Sequence, residues 1–151
     1  MVMSQTEKRA MNQIPYILQV VGSTENLAKV RSFIREKAYS LGVNQVVIDK
    51  VVLAVDEACS NIIRHAYKPP TNGDITVKLS VEDEQLTITL MDKGVSFDPQ
   101  TIQSPDMKQY LSEKRVGGLG IHLMRLLMDN VEYYTNTDGL NTLKLTKRIT
   151  A

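Results

Sequence analysis

Apolar and polar positions change their period several times along the chain, and each change marks an element. Residues 14–21, IPYILQVV, form a short run of β-branched and large apolar side chains closed by Gly22, which predicts a strand. Ser23 or Thr24 then supplies a helix cap, and Leu27, Val30, Phe33, Ile34 and Ala38 recur at three- and four-residue spacing behind it. Gly42 stops this helix and Asn44 caps the next. The second helix, roughly residues 45–67, carries an apolar stripe of Val47, Val51, Val55, Ala58 and Ile62, widened by Ile48, Val52 and Ile63. Pro69 and Pro70 end it. The period then drops to two. Ile75, Val77, Leu79 and Val81 alternate with polar neighbours, as do Leu86, Ile88 and Leu90, with residues 82–85 as the turn between them: an antiparallel hairpin with one buried face. Between residues 93 and 116 no period is sustained, and Pro99 and Pro105 interrupt the stretch; an irregular segment of this length is expected to be a lid or a disordered loop. Order resumes at Gly117-Gly118-Leu119-Gly120 with an apolar helix holding Ile121, Leu123, Met124, Leu126, Leu127 and Met128. A second hairpin follows, residues 131–137 and 141–149, turned at Asp138-Gly139. The order β α α β β, long loop, α β β predicts an α+β domain, a two-layer sandwich of a mixed or antiparallel sheet covered by helices on one face.

Composition narrows the class. The chain has 151 residues, 42% hydrophobic and 23% charged, which suits one domain over residues 14–151 behind a polar arm of residues 1–13. Lys and Arg number 18 against 17 Asp and Glu, a net charge of +1, so a polyanionic partner such as nucleic acid is not expected. The single cysteine, Cys59, excludes an intrachain disulfide and a Cys₂His₂ or Cys₄ zinc site, and is expected to be a small buried apolar side chain. Residues 1–13 hold no apolar segment of signal-peptide type and no run of eighteen apolar residues occurs, so the expected setting is cytoplasmic with no membrane span.

Three features carry candidate chemistry. In the second helix, Asp56-Glu57-Ala58-Cys59-Ser60-Asn61-Ile62-Ile63-Arg64-His65 puts Glu57, Asn61 and His65 on one row at about 100° per residue, along the border of the apolar stripe. An Asn carbonyl is a hard oxygen ligand suited to Mg²⁺, and a Glu one turn earlier could accept a proton from an attacking hydroxyl or water. The same pattern also describes a solvated helix edge. Asp92-Lys93-Gly94-Val95-Ser96-Phe97-Asp98 follows a strand; its first carboxylate could accept from an exocyclic amine and Gly94 could let a flat ring approach, or the segment is an ordinary D-x-G turn. Gly117-Gly118-Leu119-Gly120 opens a helix whose bare amides could face phosphates, with Lys114 and Arg115 upstream, or it is a plain flexible junction; it is neither a Walker A loop nor a full G-x-G-x-x-G.

In this order and setting the three features resemble the N, G1 and G2 boxes of the GHKL ATP-binding superfamily. The stretches AVDEACSNIIRHAY, DKGVSFDP and GGLGIHLMRLLMDNVEY are similar to those of the anti-sigma-factor serine kinases of bacterial partner-switching systems. The resemblance covers roughly residues 14–149. It implies the GHKL (Bergerat) fold, with three helices on a sheet and ATP bound between the helices and the lid at 93–116. It implies Glu57 as general base, Asn61 as Mg²⁺ ligand, Asp92 on the adenine amine, Gly94 beneath the ring, and Gly118, Leu119 and Gly120 along the phosphates, with His65 and Arg115 as secondary contacts. Ser96 stands where many relatives carry the second glycine of D-x-G-x-G, a feature of the smaller kinases, and neither His65 nor His122 sits where the phosphoacceptor of a two-component histidine kinase would. The implied activity is transfer of the ATP γ-phosphoryl group to a serine of a STAS-type anti-sigma-factor antagonist. The implied partners are that antagonist, an RNA polymerase sigma factor and a second copy of the chain. The rival expectation is an ATP-binding regulatory module of the same fold, with a partner other than a sigma factor and weak or no kinase activity.

Overall fold

A computed structural model describes residues 14–66, 73–94 and 118–149. Within them the strands β1 (Tyr16–Val21), β2 (Asp74–Glu82), β3 (Gln85–Asp92), β4 (Asn130–Thr135) and β5 (Asn141–Arg148) make one sheet of order β1-β2-β3-β5-β4. Every pairing is antiparallel, which resolves the mixed-or-antiparallel alternative. Three α-helices, α1 (Leu27–Ser40), α2 (Gln45–Asn61) and α3 (Gly118–Leu127), pack with it, as the two-layer pattern predicts.

The predicted punctuation is found. Ser23 caps a short 3₁₀ turn, Thr24–Asn26, that leads into α1. At the other end Gly42 (φ 84°) allows a Schellman closure: its N–H donates to the Tyr39 carbonyl at 3.0 Å, and Val43 N–H donates to Ala38 at 3.1 Å. Asn44 then caps α2, its Oδ1 accepting from Val47 N–H at 2.9 Å. The β2–β3 turn holds Asp83 (φ 50°) and Glu84 (φ 63°), both left-handed, as a two-residue hairpin of type I′ requires.

The core lies between sheet and helices. Ile75, Val77, Leu79, Leu86, Ile88, Leu90 and Leu145 face it from the strands, and Ile34, Ile48, Val51, Val55 and Met124 from the helices, each 1% exposed or less. On α2 the buried surface is wider than the predicted stripe, taking in Ala54 and Cys59, because α2 packs against both α1 and α3. Cys59 is the small buried residue expected, and burial, with the Asp56 carboxylate nearby, pushes its thiol up to about 12. α2 also stops short of the predicted end: its α-helical path finishes at Asn61 and residues Ile62–Ala66 form a π-helical turn.

Contacts between side chains and strands orient the helices. α1 begins where Asn26 Nδ2 donates to the Val21 carbonyl at 2.7 Å, at the end of β1, and by Lys37 it has reached the Tyr16 ring at the start of β1, 5.1 Å from ammonium to centroid. The pairs Arg35–Asp49 (2.9 Å) and Arg31–Asp56 (2.6 Å) show α2 running back antiparallel to α1. The C-terminal end of α2 therefore returns to the sheet end defined by Val21, Asp74, Asp92, Asn141 and Thr135. Just past α3, Asp129 N–H donates to the Thr146 carbonyl at 2.9 Å and Asp129 Oδ2 accepts from Arg148 N–H at 2.6 Å, which ties the C-terminus of α3 to the opposite end. Its glycine-bearing start lies one helix length, about 15 Å, from that tie.

Candidate functional site

On the helix-facing side the paired strands β3 and β5 carry a block of apolar positions that stops at one end of the sheet. Along β3, Leu86, Ile88 and Leu90 are fully buried and Asp92, next on that face, is 5% exposed. Asn141, 1% exposed, opens β5 on the same face ahead of Leu143 and Leu145, and the register sets it directly opposite Asp92. A carboxylate and a carboxamide thus meet inside the domain. Asn141 Nδ2 donates to Asp92 Oδ1 and to the Gly94 carbonyl, both at 2.9 Å. Gly94 N–H donates to Asp92 Oδ1, also at 2.9 Å, and Thr135 Oγ1 donates to Asn141 Oδ1 at 2.8 Å. The D-x-G segment is therefore a side-chain-closed turn, with Asp92 holding the backbone two residues on. Burial pushes the Asp92 carboxyl above its ordinary value, while the hydrogen bonds from Asn141 and Gly94 pull it back down.

Asn61 closes α2 at the same end of the sheet. It is 2% exposed, more enclosed than the border position the sequence suggests. Its Oδ1 accepts from Arg64 Nη2 at 3.0 Å, and its buried Nδ2 has no hydrogen-bond partner among the described residues. A buried donor left unmade costs about 1–3 kcal/mol, a strain that an entering acceptor such as a phosphate oxygen would relieve. Glu57 sits one helical turn earlier and is half-buried. Glu57 and Asn61 share one row of α2, and from Ile62 onward the π turn replaces four-residue with five-residue spacing. The His65 side chain lies outside the described residues, as do Arg115 and most of the expected lid at 93–116. Gly118, Leu119 and Gly120 form the first turn of α3, so the helix opens at the glycines as expected.

The donor set suits a nucleotide that brings its own cation. Among the described residues no group of three or more His, Cys, Asp or Glu side chains is placed to hold a metal ion. Asn61 offers one carbonyl oxygen, and exposed Arg64 must yield it for a cation to bind there. That combination fits Mg²⁺ arriving with phosphates, since Mg²⁺ needs few protein ligands when phosphate and water oxygens complete its shell. Sequence reasoning missed Asn141, Thr135 and Arg64. The signal for Asn141 was parity, because positions 141, 143 and 145 share one strand face. Its pairing with Asp92 depends on the β3–β5 register, which no local pattern contains.

Residues 20–147 match the family model of the histidine kinase-like ATPase domain, an ATP-binding class that this fold and polar strand end fit. The chain is 33% identical over 142 residues to the serine-protein kinase RsbW of Bacillus subtilis, covering 90% of this chain and 87% of that protein. It is 34% identical over 146 residues to RsbW of Bacillus licheniformis (93% and 88% covered), and 32% identical over 121 residues to RsbW of Listeria monocytogenes (78% and 77%). The solved RsbU and RsbW domains of a Mycobacterium tuberculosis protein share the fold with a TM-score of 0.66 at 18% identity, over 92% of this chain and 33% of that one. The SiaB–SiaC complex of Pseudomonas aeruginosa gives 0.57 at 16% identity, over 97% and 99%. The chain belongs to the histidine kinase-like ATPase family and, within it, to the branch of the RsbW serine-protein kinases.

Proposed function

We propose that the protein is a cytoplasmic ATP-dependent serine-protein kinase that transfers the γ-phosphoryl group to a serine of a small STAS-type antagonist protein and, as a homodimer, sequesters an RNA polymerase sigma factor that the antagonist releases. The observation that carries the kinase reading is the convergence of Glu57 and Asn61, one turn apart on α2, upon the sheet end that holds buried Asp92, in a chain one-third identical to serine-protein kinases over nine-tenths of its length. Fold kinship with SiaB, solved in complex with SiaC, supports a protein partner. Among the described residues no helix is long and apolar enough to cross a membrane.

Each residue has a role its surroundings permit. Asp92 accepts the adenine amine, and Gly94, fixed by Asp92 and Asn141, keeps the wall beside the ring free of a side chain. Asn61 Nδ2 would donate to a phosphate oxygen, and Asn61 Oδ1, which now accepts from Arg64, would be the protein oxygen that holds the cation. The first-turn amides of Gly118, Leu119 and Gly120 face the phosphates. Mg²⁺, when bound, would supply neutralising charge between the phosphate oxygens. Glu57 takes the proton of the attacking serine hydroxyl as its oxygen forms the new P–O bond and ADP leaves.

The test is to incubate the protein with γ-labelled ATP, Mg²⁺ and a STAS protein from the same cell. Label on one serine, lost when that serine becomes alanine, is the expected result. Nucleotide binding without transfer to any STAS protein would overturn the kinase reading and leave the regulatory module in its place.

A further inference from the structure

We infer that Asn141 is a positioning residue for base selectivity: both hydrogens of its carboxamide are spent inside the site, one on Asp92 Oδ1 and one on the Gly94 carbonyl, and this holds Asp92 as an acceptor towards the 6-position of the purine. The inference rests on the reading that Asp92 meets the base, and adds to it what keeps that carboxyl in the accepting state.

The orientation of the amide follows from its neighbours. Turned over, Asn141 would set its oxygen 2.9 Å from both Asp92 Oδ1 and the Gly94 carbonyl oxygen, and would offer an N–H to the Thr135 hydroxyl, losing the two amide donations. Asp92 Oδ1 and the Gly94 carbonyl, which only accept, select the orientation that turns the amide donors on them, and the Thr135 hydroxyl, able to serve either orientation, then donates into Asn141 Oδ1 at 2.8 Å. Asp92 Oδ1 then accepts from two donors, Asn141 Nδ2 and Gly94 N–H, and has no room for a proton of its own. A proton could settle only on Oδ2, where among the described residues no hydrogen bond is accepted. With that proton, Oδ2 would become a donor. The partner of a donor is a 6-oxo purine; the partner of an acceptor is the 6-amino group of adenine. Burial at 5% exposure favours the protonated state, and the Asn141 amide opposes it. Asn141 thereby acts on selectivity through Asp92, without touching the nucleotide.

The experiment compares ATP with inosine triphosphate, which differs from it at the purine 6-position by an oxo group in place of the amine. Affinities are measured by calorimetry across the acidic-to-neutral range for the wild type, Asn141→Leu, Thr135→Val and Asp92→Asn, each checked for folding by thermal unfolding. The titration of the Asp92 carboxyl is followed by NMR in the nucleotide-free wild type and in the first two variants. Asn141→Leu is expected to lower the ATP-to-ITP preference by roughly tenfold, the worth of one hydrogen bond to a charged group. It should also raise the pH at which ATP binding is lost and move the Asp92 titration upward. Thr135→Val, at an exposed position, should shift all three the same way by less. A folded Asn141→Leu and Thr135→Val with unchanged preference and unchanged Asp92 titration overturn the inference while Asp92→Asn still abolishes preference. If Asp92→Asn leaves the preference intact, the Asp92–adenine reading itself falls, and the inference with it.

Discussion

The middle of the sheet and its Asp92 end are built on the same strands, the same face and the same two-residue stride, yet they do opposite things with burial. From Leu86 to Leu90 on β3, and from Leu145 to Leu143 on β5, each inward step removes an apolar side chain from water and ties sheet to helix. One further step on each strand applies equal enclosure to Asp92 and Asn141, where it disfavours charge and demands hydrogen bonds. A recognition site made this way inherits the rigidity of the core. Its groups sit on strand ends and a helix end, not on loop tips, and their spacing is set by ladder register. Asn61 repeats the device on α2, where a stripe of buried Val, Ala and Cys ends in an enclosed carboxamide whose N–H has no partner among the described residues.

Four variants separate the two regions, in descending order of expected effect. Glu57→Gln should leave nucleotide affinity and stability near wild type while phosphoryl transfer falls by about 10²–10⁴-fold. Single-turnover transfer to the STAS partner measures it, and full activity would remove Glu57 from the chemistry. Leu90→Ala, two residues from Asp92, should cost about 2–5 kcal/mol in urea unfolding, because a fully buried side chain leaves a cavity in the core. A loss as small as that of a surface mutant would contradict the division drawn here. Asp92→Asn should change stability by only about 1 kcal/mol while weakening ATP more than GTP, and it should reveal a pH signature. A carboxyl raised above 3.8 in the folded state binds protons more tightly than in the unfolded chain, so it stabilises at low pH and that contribution is lost as pH rises through the folded value. The wild type should therefore lose stability relative to Asp92→Asn as pH climbs through that window, and parallel curves would contradict the burial argument. Replacing Asp83-Glu84 by Asn-Gly relieves two left-handed residues and should add up to about 1 kcal/mol with no change in ATP affinity, since that turn lies at the far end of the sheet.

Sequence patterns carried the elements well where local physics sets them. Gly42, Asn44 and the period-two runs each act through near neighbours, and all are found in their predicted roles. The Asp92 and Gly94 pairing was legible because a D-x-G turn is itself local. What escaped depends on distant strands or on a change of helix type. Asn141 meets Asp92 only through a strand pairing between residues 49 positions apart, and no composition or periodicity encodes that register. The π turn after Asn61 changes the helix type in a segment whose residues read as ordinary helix. The predicted apolar stripe of α2 was too narrow because one helix packing between two others buries more of its circumference than a single period suggests.

The central claim, an adenine site built at the polar end of a hydrophobic sheet, is met most directly by isothermal titration of the folded protein with ATP, ADP and GTP, with and without Mg²⁺, beside Asp92→Asn. The account predicts adenine-selective binding that Mg²⁺ strengthens and that Asp92→Asn strips of its selectivity. A folded protein that binds none of the three, or binds ATP and GTP alike with Asp92 intact, would contradict it.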